Sequence, residues 1–504
     1  MKIDEYTRLD ATALAALVAR GEISPGELLE TAASAMEQVN PQLHAVIRPM
    51  VERARKVVAT GLPDGPFTGV PFLLKDMVEV EGERVTYGAV LTRHYRAKRT
   101  CELVKRYERA GLQFLGWTNM SELGLLPTTE PAFHGPTHNP FSLAHSPGGS
   151  SGGAAAMVAA RAFPAAHGAD GGGSIRIPAS ACGVFGLKPS RGRHPTDAND
   201  DPDGFVSHHV ITRSVRDSAA LLDAICAPQL AKRWPLAAPK EPFARAVERE
   251  PSGLRIAFCT ETLMGQPAHP DCRAAVEHTA RLCESLGHHV EEASPEIDGR
   301  SYFEGFAILW GMAAGFFLRA LRANIAKAGA PPPLAHILER PLPFKAFSWG
   351  YAAVAGHAPL ERFSRLLAKE NASRTPADLW LAWTWMQAAG DVLTEFLSRY
   401  DLQLTPVLGE PPWPTGHLRA GSLRMGRSRE ELFEQLYRYA GYTPISNTTG
   451  LPAMSVPLYW NTQGLPIGVQ FIAPSGREDR LFSLAAQLEQ AQPWEDRRPH
   501  ICAH

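Results

Sequence analysis

Apolar residues near the start of the chain recur at helical spacing. Leu14, Leu17 and Val18 fall on one face, and Gly21 stands where that helix would end. Ser24-Pro25-Gly26-Glu27 reads as a capping box with proline at the first helical position, and Leu28, Ala32, Ala35, Met36 and Val39 form the apolar stripe that follows. The pattern then changes. Residues 67–80 predict a strand carrying the charged pair Lys75-Asp76 at its end, followed by a helix over 100–110 closed by Gly111 and a strand over 113–115. Between Pro228 and Pro251 the chain is proline-rich and reads as a connector or surface excursion. Strand and helix resume at 254–259 and 271–286. Residues 301–400 read as mainly helical and aromatic-rich, with Thr375-Pro376-Ala377-Asp378 starting one helix. Strands over 454–458 and 467–472 and a helix from Asp479 complete the chain. The alternation predicts an α/β fold with helices flanking a mixed sheet.

Composition narrows the class. The 504 residues are 44% hydrophobic and 20% charged, which suits a soluble globular protein with a large core. Fifty-one basic side chains against 52 acidic ones give a formal charge of −1, and no basic stripe stands out, so nucleic acid is excluded as a main partner. No apolar run reaches the roughly 20 residues that cross a bilayer, and Met1-Lys2-Ile3-Asp4-Glu5-Tyr6 does not resemble a secretory signal. Seven scattered cysteines without a CxxC pair fit a reducing cytoplasm, where they act as small buried hydrophobes. The expected location is cytoplasmic, with no membrane association.

Two glycine–serine clusters carry the chemistry. One is Gly148-Gly149-Ser150-Ser151-Gly152-Gly153, and the other is Gly171-Gly172-Gly173-Ser174. Glycine lets backbone N–H groups converge on one point, and converging N–H groups bind an anion or an oxyanion. There is no GxxxxGK[ST] phosphate loop. A glycine run ending in serine suits acyl transfer, with the serine attacking a carbonyl and the neighbouring N–H groups holding the O⁻. The serine needs a base. Gly172-Gly173-Ser174-Ile175-Arg176 is not a GxSxG elbow, and a lysine serves only if burial keeps it neutral. Lys75 follows the apolar run Val70-Pro71-Phe72-Leu73-Leu74, which hints at an interior position. Taken alone, however, Lys75-Asp76 reads better as a surface ion pair.

Six motifs in order resemble the amidase signature hydrolases. They are Gly69 to Asp76 (GVPFLLKD), Gly116 to Glu122 (GWTNMSE), the first serine cluster preceded by Gly135 to Pro140, Asp170 to Pro178, Gly183 to Pro189 (GVFGLKP), and Asn447 to Ala453 with Gly464 to Gly468. The resemblance implies the amidase signature fold, a central mixed twisted β-sheet covered by helices on both sides with a helical, aromatic-rich insertion. It implies one domain over 1–504: a catalytic core near 65–230, a substrate-pocket region near 300–400, and C-terminal strands and helix near 440–495.

The resemblance also implies roles. Ser174 would be the acylated nucleophile, and Ser150, after a cis peptide bond, would relay protons to the base Lys75. Gly171, Gly172, Gly173 and Ser174 would offer backbone N–H groups to the oxyanion. Ser151, Asp170 and Arg176 would support the site. No cofactor and no metal are expected; His208-His209 and His288-His289 lack ligand spacing. His138 and His145 read as solvated or loop-capping, and Lys188 as a structural or surface lysine. Gly171 stands where the family usually has a bulkier residue, and this variant is similar to the branch that hydrolyses aminohexanoate cyclic oligomers, the nylon by-products. Phe141 stands where many relatives have Trp. The expected partner is a small-molecule amide, and oligomer base rates favour a homodimer. Two other readings stay open: a glutaminase of the glutamine amidotransferase kind, working with a partner protein on tRNA, and a non-catalytic binding protein on the same scaffold.

Overall fold

The computed structural model describes residues 1–195, 204–226, 234–327, 358, 360–418 and 428–504. Eleven strands join in one sheet: β1 Val46–Pro49, β2 Pro71–Lys75, β3 Gln113–Thr118, β4 Ala165–Asp170, β5 Phe185–Lys188, β6 Ser207–Thr212, β7 Arg255–Phe258, β8 His289–Glu292, β9 Leu402–Pro406, β10 Ala453–Trp460 and β11 Pro466–Ile472. Their spatial order is β1-β3-β2-β4-β6-β5-β10-β11-β9-β7-β8. β3, β2 and β4 run parallel, as do β9, β7 and β8, and the strands between them are antiparallel. This is a mixed α/β sheet, as the alternation of the sequence predicts.

Every residue of β2, β3, β4, β5, β9 and β11 is buried. Strands covered on both faces need no polar alternation, which is why β2 reads as an apolar run up to Lys75. The helix Pro25–Leu43 starts as the sequence predicts: Ser24 caps it and Glu27 reaches back to complete the box.

The strand expected over 67–80 is shorter, at Pro71–Lys75. Gly69 (φ 86°) turns the chain in before it, and Met77 N–H folds back onto Lys75 O (2.6 Å) after it. The connector over 228–251 holds a short helix, Phe243–Ala246, whose first N–H groups donate to the Asp223 carboxylate; residues 227–233 lie outside the described residues. In the 301–400 region the helices are Gly299–Lys327, Arg362–Ser373 and Pro376–Arg399, while residues 328–357 and 359 lie outside the described residues. All seven cysteines are free, four of them buried. No described helix is long and apolar enough to cross a membrane.

Candidate active site

β2 ends on Lys75, which is 1% exposed. Its ammonium nitrogen lies 2.7 Å from Ser150 Oγ, 2.8 Å from Ser151 Oγ and 3.3 Å from Ala169 O. Burial pushes the Lys75 amine down to about 7, against the pull of the Asp170 charge. A lysine that deprotonates near neutrality can accept a proton, which an exposed lysine cannot. The surface ion pair is therefore not what forms. Asp76 is fully buried and pairs instead with Arg48 (2.6 Å).

Ser150 and Ser151 sit at the start of the helix Gly152–Ala159, and the Gly149–Ser150 peptide is cis. The glycines here are a packing requirement: a Cβ on Gly149 would lie 2.6 Å from Thr128 O. Ser151 N–H donates to Ser174 O (3.2 Å), which ties the first cluster to the second.

The second cluster hangs from the end of β4. Asp170 and Arg176 are both buried, and the Arg176 Nε and Nη2 atoms reach the carboxylate at 2.9 and 2.8 Å. Burial alone would raise the Asp170 pKa, but the Arg176 charge and hydrogen bonds hold it well below the ordinary range. The other Arg176 nitrogen, Nη1, donates to Thr443 O, Ser446 Oγ and Gln470 Oε1, while Nη2 also reaches Asn447 Oδ1. Asp170 and Arg176 thus order the loop between them, and Ser174 within that loop is only partly buried.

One expectation about this loop is corrected. Gly173 N–H does not stand free for an oxyanion but donates to Asp170 Oδ1 at 2.6 Å. The same peptide is held at its other end, because Thr443 Oγ1 donates to Gly172 O (2.6 Å). Gly173 takes φ 128°, and a Cβ there would collide with Thr443 Oγ1. The peptide is clamped in one orientation, with its N–H toward the carboxylate.

The clamp residues Thr443, Ser446, Asn447 and Gln470 carry no role that the sequence alone assigns. Asn447 lies in one of the six motifs, and Gln470 is a lone amide in an otherwise apolar buried strand, a signal that could have found it. Lys188 is not at the surface: it is buried, with Nζ on Pro189 O (2.7 Å). His138 and His145 cap loops, through Leu143 O and Ser142 Oγ. Among the described residues no group of three or more side chains could hold a metal ion.

An aromatic wall stands beside the glycines. A Cβ on Gly172 would lie 3.4 Å from Phe306, and one on Gly171 would lie 3.3 Å from Val206. Phe306 stacks near Tyr302 and leans on Trp310, which meets Phe363 edge-on. Glu122, from the second motif, is buried where it accepts Glu361 N–H (2.8 Å) and the Ser364 hydroxyl (2.5 Å), at the start of the helix Arg362–Ser373.

Comparison with known proteins identifies the family. The family model described as Amidase matches residues 27–482. The 6-aminohexanoate-cyclic-dimer hydrolase of Paenarthrobacter ureafaciens is 37% identical, over 98% of this chain and 96% of that protein. An acylamidase of Rhodococcus erythropolis is 31% identical over 97% of each. A solved structure of 6-aminohexanoate cyclic dimer hydrolase with substrate superposes with a TM-score of 0.85 at 34% identity, covering 98% of this chain and 99% of that one. With so much of its length matched, the chain belongs to the amidase signature family of amide-hydrolysing enzymes.

Proposed function

We propose that the protein hydrolyses a carboxamide or cyclic amide, of the aminohexanoate-oligomer type, through an acyl-enzyme on Ser174. The observation that carries the reading is the buried contact of Lys75 Nζ with Ser150 Oγ at 2.7 Å, one hydrogen bond from the loop that holds Ser174.

Neutral Lys75 takes the Ser150 hydroxyl proton as Ser150 takes that of Ser174. Ser174 Oγ then bonds to the substrate carbonyl carbon. The N–H groups of Gly171, Gly172 and Ser174 receive the oxyanion, and each such donor lowers the barrier by about 3–4 kcal/mol. The C–N bond breaks as the amine leaves with the proton returned from Lys75 through Ser150. Water, deprotonated by the same route, cleaves the ester and frees Ser174. Val206 and Phe306 pack directly against Gly171 and Gly172, and such an apolar wall suits uncharged methylene chains. The similarity to 6-aminohexanoate-cyclic-dimer hydrolase supports the same substrate type.

The test is turnover across aliphatic amides, aryl amides, cyclic aminohexanoate oligomers, peptide amides and glutamine, for the parent and Ser174→Ala. Cyclic oligomers should turn over fastest, and the variant should be inactive on all. Turnover of glutamine alone would favour a partnered glutaminase, and an active Ser174→Ala would end the acyl-enzyme reading.

A further inference from the structure

Behind Lys75, on the side away from the serines, lies a group of buried and half-buried imidazoles with no part in the reaction as described. Asp76 N–H donates to Thr118 O of β3 (3.3 Å), so strand alternation turns Lys75 N–H toward β4. There β2 and β4 are in register at Leu73↔Ala166. Lys75 N–H donates to a side chain, His167 Nδ1, at 3.3 Å. His167 is fully buried. Its other nitrogen, Nε2, lies 3.1 Å from His208 Nδ1, and the two rings are nearly parallel, 9° apart.

These contacts assign the protons. A backbone N–H can only donate, so His167 Nδ1 is an acceptor and its proton sits on Nε2. That proton is donated to His208 Nδ1. Neither ring can take a second proton on the bonded nitrogens without losing a hydrogen bond. The groups around His167 are Lys75 on β2, His208 and His209 on β6, His194 on the loop between β5 and β6, and Tyr107, which meets the ring edge-on. Burial, and then the Lys75 charge, hold His167 well below its ordinary value; burial, and then His167, do the same for His208.

We propose that His167 is a positioning residue for the general base: as a neutral imidazole locked in one tautomer by His208, it anchors the Lys75 main chain and so sets Nζ between Ser150 and Ser151. It touches no reacting atom. The same ring excludes a competing cation, because a protonated His167 would lose its hold on Lys75 N–H and place a second charge beside the amine. The inference rests on Lys75 acting as base.

The probe is an alkyl fluorophosphonate, whose rate of reaction with Ser174 reports nucleophilicity without requiring the natural substrate. Four variants are compared with the parent across pH: Lys75→Ala, His167→Leu, His167→Asn and His208→Leu. His167→Leu should label at least roughly tenfold more slowly, as expected for a misplaced catalytic group, and its rising pH limb should move by about half a unit or more. His167→Asn, whose amide oxygen can take the place of Nδ1, should recover most of the rate. His208→Leu, which removes the acceptor of the Nε2 proton, should shift the limb in the same direction. A role in packing alone would lower the melting temperature and leave the pH limb in place. Folded His167→Leu with the parental rate and pH limb overturns the proposal, as does His167→Asn that is no faster than His167→Leu. If His167→Leu does not fold, an unshifted limb in His208→Leu overturns it. Lys75→Ala separates the two readings: if it labels like the parent, the base assignment itself fails, and if it is inert while His167→Leu is normal, only the positioning role of His167 fails.

Discussion

Asp170 and Arg176 pair at 2.8 Å with neither side chain reaching solvent. Such a pair adds little net stability against an apolar replacement, but removing one partner leaves a buried charge and costs about 3–5 kcal/mol. Arg176→Ala should therefore be destabilised by about that amount in urea unfolding. It should also lose fluorophosphonate labelling at Ser174, because the loop loses its anchor. Arg176→Lys should rescue poorly, since one ammonium cannot serve the carboxylate, Asn447, Ser446 and Gln470 together. Parental stability and labelling in Arg176→Ala would contradict an anchoring role.

Activity should rise with pH across neutrality. The Lys75 amine is pushed down to about 7, and only its neutral form accepts a proton. Below that pH the amine is charged and the rate should fall tenfold per unit; above it the rate should level off. A labelling profile that is flat between about pH 5 and 9 would contradict a lysine base with this pKa.

Two adjacent glycines should respond differently to the same methyl group. Gly173→Ala places a Cβ at φ 128° and against Thr443 Oγ1, so the clamped peptide must move. It should lose most activity and be destabilised by about 1–3 kcal/mol. Gly172→Ala meets only Phe306 at 3.4 Å, an ordinary contact. It should fold like the parent and act mainly on KM for bulky amides. Steady-state kinetics and thermal melts on both variants check the contrast.

Glu122 and Glu361 are buried close together, and both carboxyls are held above their ordinary range, first by burial; Glu122 is raised further by the Glu361 charge. A carboxyl raised on folding favours the native state at acid pH and loses that contribution as pH climbs above the ordinary carboxylate value. Glu361→Gln keeps an oxygen to accept Ala132 N–H and removes the charge. It should be more stable than the parent near about pH 8 and no more stable near about pH 4. Urea unfolding at both values checks the sign.

What the sequence made legible was chemistry written in residue type. The glycine clusters could be found because close backbone approach demands glycine, as at Gly149 beside Thr128 O. The buried position of Lys75 was hinted at by the apolar run before it, but its role came from resemblance, since nothing local places it opposite Ser150. The extent of β2 was overestimated because Met77 and Val78 continue the apolar pattern past the turn at Lys75. The diversion of Gly173 N–H was invisible because it depends on Thr443, far along the chain. The His167 contact was hidden for a similar reason: a histidine among small residues in a strand carries no sign of which backbone it meets.

The clasp on Arg176 also has a consequence in time. Its partners Thr443, Ser446, Asn447 and Gln470 follow it by 267, 270, 271 and 294 residues. During synthesis the core strands, Lys75 and both serines emerge long before these acceptors exist. Until residues 443–470 are in place, Arg176 has only Asp170 to hold, and the loop of Ser174 lacks its far anchors. On the proposed mechanism the site is completed by its own C-terminal segment, and a chain cut short before that segment holds Ser174 in a loop without its far anchors.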